Sequence, residues 1–172
     1  MRLIISPASE VRRLCQETRP SHLLRLVSPD LADDTAELHA DKIQTFVVHD
    51  VGDAAPGRIA PDPDLIRALL DFSDDWSGAR PLVAQCWAGV SRSTAAAFVI
   101  ACQKRPDRSE RSLAAALRLA APQATPNRLM VAHADTLLGR GDRMNAAIQE
   151  IGRGAEFVAF ASAELDLACL GR

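Results

Sequence analysis

Two residues of this chain, Cys86 and Arg92, have the types and the spacing that nucleophilic chemistry requires. Five residues separate them, and a short apolar run at residues 82–84 precedes the cysteine. That run predicts the end of a buried strand, whereas the alanine-rich residues 93–104 predict a buried helix. Gly89 lets the backbone between them turn tightly. A strand, a tight loop and a helix N-terminus aim several backbone N–H groups at one point, which indicates an anion site.

In such a loop Cys86 and Arg92 form a working pair. A thiol near a helix N-terminus and a guanidinium loses its proton more readily than a free thiol, and the thiolate is the nucleophile. The Arg92 fork can hold two oxygens of a tetrahedral oxyanion, and Ser93 can donate its hydroxyl to Cys86. The alternative is a core cysteine and a surface arginine that share a segment by chance. The complete string between a strand and a helix argues against that alternative.

The string from Cys86 to Ser93 resembles the signature loop of the protein tyrosine phosphatase superfamily, and in particular of small bacterial dual-specificity-like cysteine phosphatases. The resemblance implies phosphomonoester hydrolysis through a cysteinyl-phosphate, with no metal and no cofactor. It also implies that a phosphate or sulfate binds to the loop residues, which are Trp87, Ala88, Gly89, Val90, Ser91 and Arg92. An aspartic acid from a separate loop serves such enzymes as the proton donor.

The residue before the cysteine departs from this pattern. Relatives usually have a histidine there that helps to orient the cysteine and to favour its thiolate, and this chain has Gln85. Glutamine can donate a hydrogen bond but carries no charge. The alternative function is therefore a phosphatase-like module that binds a phosphorylated ligand and turns it over slowly or not at all. Retention of both Cys86 and Arg92 favours the enzyme.

Asp50 is the predicted general acid. Residues 42–48 predict a strand that runs directly into it, and a loop rich in proline and glycine follows. An α/β fold places its chemistry at the carboxyl ends of its strands. Asp50 lies 86 − 50 = 36 positions before the cysteine and Asp53 lies 33 before it, a separation that also resembles the phosphatases. Asp53 is the alternative acid, and a turn-forming role remains open for either aspartate.

Asn127 is the predicted support of the loop. The pair Pro126-Asn127 begins a helical pattern, and it resembles the serine-proline-asparagine element with which dual-specificity phosphatases brace the phosphate loop. The resemblance as a whole covers about residues 42–138.

Composition limits the class of protein. A chain of 172 residues with 48% hydrophobic residues predicts one folded domain over residues 1–172. A net charge of −2 and a pI near 6.1 argue against nucleic acid as a partner, and no apolar run is long enough to predict a membrane span. The four cysteines show neither metal-ligand nor disulfide spacing, which favours a reduced, cytoplasmic protein. The expected partner is a phosphorylated protein or small molecule.

Strand and helix patterns alternate along the first two thirds of the chain. Strands are predicted near residues 2–6, 22–27, 42–48 and 82–86. Helices are predicted between the first two strands, between the last two and after the last, and an acidic surface loop is predicted over residues 29–37. The sequence therefore predicts a three-layer α/β fold with a central, mostly parallel sheet of about four or five strands flanked by helices. Residues 143–151 predict a last helix. The tail beyond it is expected to pack back on the domain through its apolar residues, which are Phe157, Val158, Phe160, Leu165 and Leu167.

Overall fold

The computed structural model describes residues 1–31, 38–156 and 161–169. In these ranges the elements are β1 (Arg2–Pro7), α1 (Val11–Thr18), β2 (His22–Val27), a 3₁₀ turn (Pro29–Leu31), β3 (Lys42–Val47), α2 (Pro63–Asp74), β4 (Leu82–Cys86), α3 (Arg92–Lys104), α4 (Glu110–Ala120), α5 (Arg128–Leu137), α6 (Arg143–Ile151) and β5 (Ala163–Asp166). The strands predicted near residues 2–6, 22–27, 42–48 and 82–86 and the helices predicted at residues 93–104 and 143–151 are present, with ends that differ by at most one residue.

The five described strands form one sheet in the order β3-β2-β4-β1-β5. The first four are parallel, and β5 runs antiparallel to β1 at the edge of the sheet. Each parallel pair needs a crossover, and the intervening helices cover both faces of the sheet. The predicted three-layer α/β fold is confirmed.

Alternation along the strands divides the core into two layers. In β1, Leu3 and Ile5 pack on the side of α3, whereas Ile4 packs on the opposite side with Val11 and Leu14 of α1. Successive side chains of a strand point to opposite faces of the sheet, and here both faces are buried. Helix α1 therefore covers one face, and α2 to α6 cover the other.

Helix α3 is buried along nearly its whole length, as its composition predicts. Residues 92–102 are all buried, including the large side chains of Phe98 and Ile100. Its 13 residues make it the longest described helix, and no helix in the described ranges is both long and apolar enough to span a membrane.

The carboxyl ends of the parallel strands gather the chemistry at one edge of the sheet. There β2 leads into Ser28, β3 leads into Val48 and Asp50, and β4 ends at Cys86. Neighbouring parallel strands place the segments that follow them side by side. Residues far apart in the sequence can therefore meet around the N-terminus of α3.

Strand β5 was not predicted from the sequence. Its residues 163–166 alternate small or apolar with acidic side chains over only four positions, too short for a reliable period. Pairing with β1 stabilises it, because Arg2 binds Glu164 through two hydrogen bonds and Leu165 enters the core. Leu167 is also buried, so this part of the tail does pack on the domain. The other apolar tail residues, Phe157, Val158 and Phe160, lie outside the described residues.

An ion cluster around the buried carboxylate of Glu110 joins α4 to the start of α6, at the C-terminal end of α3. Glu110 accepts hydrogen bonds from Arg140 Nη1 and Arg143 Nε, each at 3.2 Å, and Arg140 Nη2 also donates to the Cys102 carbonyl at 2.6 Å. Burial acts to raise the pKa of Glu110, but its backbone hydrogen bond and the two guanidinium groups outweigh burial, so its pKa lies below the usual 4.5.

Candidate active site

Cys86 is the last residue of β4, and the loop that follows it passes directly into α3 at Arg92. The cysteine is 2% exposed, and its Sγ lies 3.0 Å from Ser93 Oγ. Ser93 stands in the first turn of α3, where backbone N–H groups have no partner within the helix. The thiol therefore sits at a helix N-terminus beside a hydroxyl that can donate to it.

Gly89 shapes the loop. Its φ of +72° is a conformation that residues with a Cβ rarely adopt. A Cβ built at this position would lie 3.1 Å from the backbone nitrogen of Pro7, at the end of β1. The neighbouring Trp87 carbonyl accepts a hydrogen bond from the Ala8 backbone N–H at 3.1 Å. The loop therefore rests closely on the end of β1, and a side chain at residue 89 would crowd that contact.

Arg92 is 4% exposed and is anchored on one side of its guanidinium. Its Nη1 donates to the Val48 carbonyl at 2.7 Å and to Ser28 Oγ at 3.0 Å. Its Nε is buried and has no hydrogen-bond partner among the described residues. A buried donor without an acceptor is costly, and an oxyanion is the acceptor that a guanidinium matches best. The donor set therefore fits a tetrahedral anion.

Asp50 contacts the loop directly. Its Oδ1 accepts a hydrogen bond from Ser91 Oγ at 2.7 Å and another from Asn127 Nδ2 at 2.9 Å, although the carboxyl group is exposed. Asp53 is also exposed, but it forms no hydrogen bond or ion pair with another described residue. Of the two candidate acids, only Asp50 is joined to the loop that carries Cys86.

Asn127 forms hydrogen bonds with three segments around the site. Its side chain caps α5 by accepting from the Met130 N–H at 3.1 Å, and it donates to Asp50 and to the Val51 carbonyl. Its backbone N–H donates to the Ser91 carbonyl at 3.3 Å. One residue therefore holds the loop, the aspartate and the start of a helix in a fixed relation.

Gln85 lies beneath the loop and is 1% exposed. Its Nε2 donates to the Cys86 carbonyl at 3.0 Å, and its Oε1 accepts from Arg25 Nε at 3.2 Å. Arg25 is itself 1% exposed and stands in the middle of β2. The sequence does not predict this contact, although one charged residue within the apolar strand His22–Val27 is a signal that could have drawn attention to Arg25.

His49 is a second residue that sequence reasoning missed. Its backbone N–H donates to the Ile59 carbonyl, and its ring Nδ1 accepts from the Ile59 N–H, both at 2.8 Å. The ring therefore uses Nδ1 as an acceptor for the backbone. This pair closes the loop that begins with Asp50, and nothing in the local pattern of residues 49–59 indicates it.

The other buried cysteines differ from Cys86 in their surroundings. Burial raises the pKa of Cys102 to about 12, and it also raises the pKa of Cys15. Both therefore remain thiols at neutral pH. Among the described residues, no group of three or more His, Cys, Asp or Glu side chains is placed to hold a metal ion.

The sequence matches no protein-family model, and no curated protein matches it either. Solved structures do match the fold. The human tyrosine phosphatase-like serine/threonine/tyrosine-interacting protein superposes with a TM-score of 0.59 at 15% identity, over 80% of this chain and 91% of that chain.

Two further structures agree with this match. The phosphatase domain of Yvh1 from Chaetomium thermophilum gives a TM-score of 0.55 at 20% identity, over 83% of this chain and 93% of that domain. A mouse putative dual specificity phosphatase, solved with zinc tungstate, gives 0.58 at 19% identity, over 87% and 86% of the two chains. The chain therefore has the fold of the dual-specificity and tyrosine phosphatases.

Proposed function

We propose that this protein hydrolyses phosphomonoesters through a cysteinyl-phosphate intermediate, without a metal. The observation that carries the proposal is the contact between Asp50 and Ser91 at 2.7 Å. Through this contact the Asp50 carboxyl group, which can donate and accept a proton, lies against the loop that carries the Cys86 thiol and Arg92. Asp50 comes 36 residues before Cys86 in the chain. A fold has little reason to gather an acid, a thiol and an anion-binding loop unless one reaction uses them together.

In the first step Cys86 Sγ attacks phosphorus, and the bond from phosphorus to the leaving oxygen breaks. The loop N–H groups and the Arg92 guanidinium stabilise the charge on the equatorial oxygens. Asp50 gives its proton to the leaving oxygen, so that an alcohol or phenol departs.

In the second step a water molecule attacks the cysteinyl-phosphate. Asp50, now a carboxylate, takes a proton from that water, and the sulfur leaves as a thiolate that Ser93 stabilises through its hydroxyl. The products are inorganic phosphate and the regenerated enzyme.

The ligand we propose for the loop from Trp87 to Arg92 is a phosphate group of a protein or of a small molecule. The mouse structure was solved with tungstate, which is a tetrahedral oxyanion as phosphate is. The loop contains no lysine. We further propose that the protein works in a reducing compartment such as the cytoplasm, because its reaction requires a free thiol.

A binding module is the competing proposal. Gln85 supports it, because an uncharged residue stands where relatives carry histidine, and one structural neighbour bears the name phosphatase-like. On this alternative, the protein would hold inorganic phosphate on the loop without turning over an ester.

Turnover of p-nitrophenyl phosphate separates the two proposals. We expect measurable hydrolysis that Cys86→Ser abolishes, whereas Cys169→Ser, which changes an exposed thiol, leaves the rate unchanged. Hydrolysis that survives Cys86→Ser would contradict the enzyme proposal. Calorimetric binding of inorganic phosphate by a wild-type protein without turnover would favour the binding module.

A further inference from the structure

A row of polar side chains crosses the sheet beneath the phosphate loop. Ser6, Gln85 and Arg25 are paired in register across β1, β4 and β2, and Thr45 of β3 continues the row. Residues in register on parallel strands point to the same face, and here that face is the one covered by α1. Its other strand positions nearby are apolar, such as Leu23. A buried guanidinium in such a layer is expensive, and the fold therefore has to offset its cost.

Arg25 and Gln85 form a relay to the backbone of the cysteine. Arg25 Nε donates to Gln85 Oε1 at 3.2 Å, and Gln85 Nε2 donates to the Cys86 carbonyl at 3.0 Å. An arginine offers donors only, so it can meet the oxygen of the amide but not its NH₂. Arg25 therefore fixes the orientation of the Gln85 amide, with its NH₂ toward the cysteine.

The relay also affects the charge at the site. A charged donor strengthens the next hydrogen bond in a chain, because each bond polarises its neighbour in a medium of low dielectric constant. A positive group at the start of a hydrogen-bond chain that ends on the Cys86 carbonyl favours the charged thiolate. Neither effect is available from glutamine alone, which is neutral.

We propose that Arg25 is a positioning residue for Cys86. It holds the Gln85 amide in the orientation that orders the start of the phosphate loop, and it supplies positive charge behind a residue that carries none. The inference rests on the proposed function, in which Cys86 reacts as a thiolate. It gives the buried arginine of β2 a role in the reactivity of the nucleophile.

The test is the pH dependence of Cys86 alkylation by iodoacetamide, followed by peptide mass spectrometry. In Arg25→Met, the pH midpoint of alkylation is expected to rise by about half a unit to one unit, which slows alkylation at pH 6 by roughly 3- to 10-fold. A role in folding alone would not move this midpoint. An unchanged midpoint in a folded Arg25→Met protein would overturn the proposal.

Arg140→Met is the matched control. Arg140 is also a largely buried arginine, but it binds the carbonyl of Cys102, ten residues beyond Arg92 on α3. At a rise of about 1.5 Å per residue, that places it roughly 15 Å along the helix from the loop. It should lower the melting temperature without moving the alkylation midpoint, and an equal shift in both variants would overturn the proposal.

Two further variants keep the test decisive. If Arg25→Met does not fold, the double variant Arg25→Met/Gln85→Leu removes both polar partners at once and is easier to accommodate. It should show at least the shift expected for the single variant, and a wild-type midpoint would overturn the proposal.

Arg25→Lys retains a charged donor. Its alkylation midpoint should lie at least halfway back from the Arg25→Met value to the wild-type value. A midpoint equal to that of Arg25→Met would overturn the proposal, because a positive donor would then not matter.

Failure of this inference is distinguishable from failure of the proposed function. Alkylation reports on Cys86 whether or not an ester is hydrolysed. A protein that shows the Arg25-dependent midpoint without hydrolysing p-nitrophenyl phosphate supports the inference and contradicts the enzyme proposal. A protein that hydrolyses the ester but shows no Arg25-dependent midpoint does the reverse.

Discussion

Replacement of Asp50 by asparagine tests the assignment of the general acid with little disturbance of the structure. The Oδ1 atom of Asp50 accepts hydrogen bonds from Ser91 Oγ at 2.7 Å and from Asn127 Nδ2 at 2.9 Å. An asparagine at residue 50 offers an amide oxygen at the same position and can accept both bonds. The substitution therefore removes the exchangeable proton and keeps the contacts.

The size of the effect follows from this difference. Loss of a positioned general acid costs about 10²- to 10⁴-fold in rate, or roughly 3–5 kcal/mol in the activation barrier. Weakening of the two retained hydrogen bonds should cost less than about 1 kcal/mol, which is worth at most roughly fivefold. A loss above a hundredfold in Asp50→Asn therefore reports proton transfer and not a displaced side chain.

The assay compares kcat/KM for two substrates. Phenyl phosphate releases a poor leaving group that needs a proton, so the full loss is expected. The nitrophenolate released from p-nitrophenyl phosphate needs no proton, and the loss should shrink to about tenfold or less. Asp53→Asn is the matched control, since Asp53 is exposed and forms no hydrogen bond or ion pair with a described residue of the loop. It should be nearly silent with both substrates.

Two results would refute this reasoning. An equal loss with both leaving groups would show that Asp50 acts through structure and not through its proton. A large, leaving-group-dependent loss in Asp53→Asn, with Asp50→Asn silent, would transfer the role of acid to Asp53.

Other features of the structure give further predictions. Gly89→Ala should lower the free energy of unfolding by about 1–2 kcal/mol and weaken phosphate binding measured by calorimetry. The control is Gly139→Ala, at a residue with a similar positive φ but open space around it. It should lower the free energy of unfolding by a similar amount and leave phosphate binding unchanged. Trp87 is 52% exposed beside the site, so Trp87→Ala should raise KM for an aryl phosphate by roughly 2- to 12-fold and leave kcat and alkyl phosphates nearly unaffected, as steady-state kinetics will show. Mild peroxide should oxidise the nucleophilic thiol without a disulfide to Cys102, whose pKa burial raises to about 12; such a bridge in mass spectrometry would contradict this. The folded-state pKa of Glu110 lies below the usual 4.5, so its contribution to stability is present above the unfolded-state pKa and is lost as the pH falls through the folded-state value. Glu110→Gln should therefore flatten the fall in melting temperature below about pH 4.5. An unchanged slope would contradict a stabilising role for the ion cluster of Glu110, Arg140 and Arg143.

The sequence by itself determined the local elements and the place of the nucleophile. Strand β2 at His22–Val27 and helix α6 at Arg143–Ile151 have the predicted bounds. The strand, loop and helix around Cys86 could be predicted because their signals are local. Each signal can be recognised within about a dozen residues: the spacing of apolar residues, the glycine at a tight turn and the alanine-rich composition of α3.

Only the tertiary structure decided which distant residues meet. The contact of Asp50 with Ser91, the bond of Arg92 to Val48 and the bond of Arg25 to Gln85 each join residues more than 40 positions apart. They depend on the strand order β3-β2-β4-β1-β5, which hydrophobic period does not encode. The period shows which face of a strand is buried, whereas the neighbour of that strand is set by how all the layers pack together.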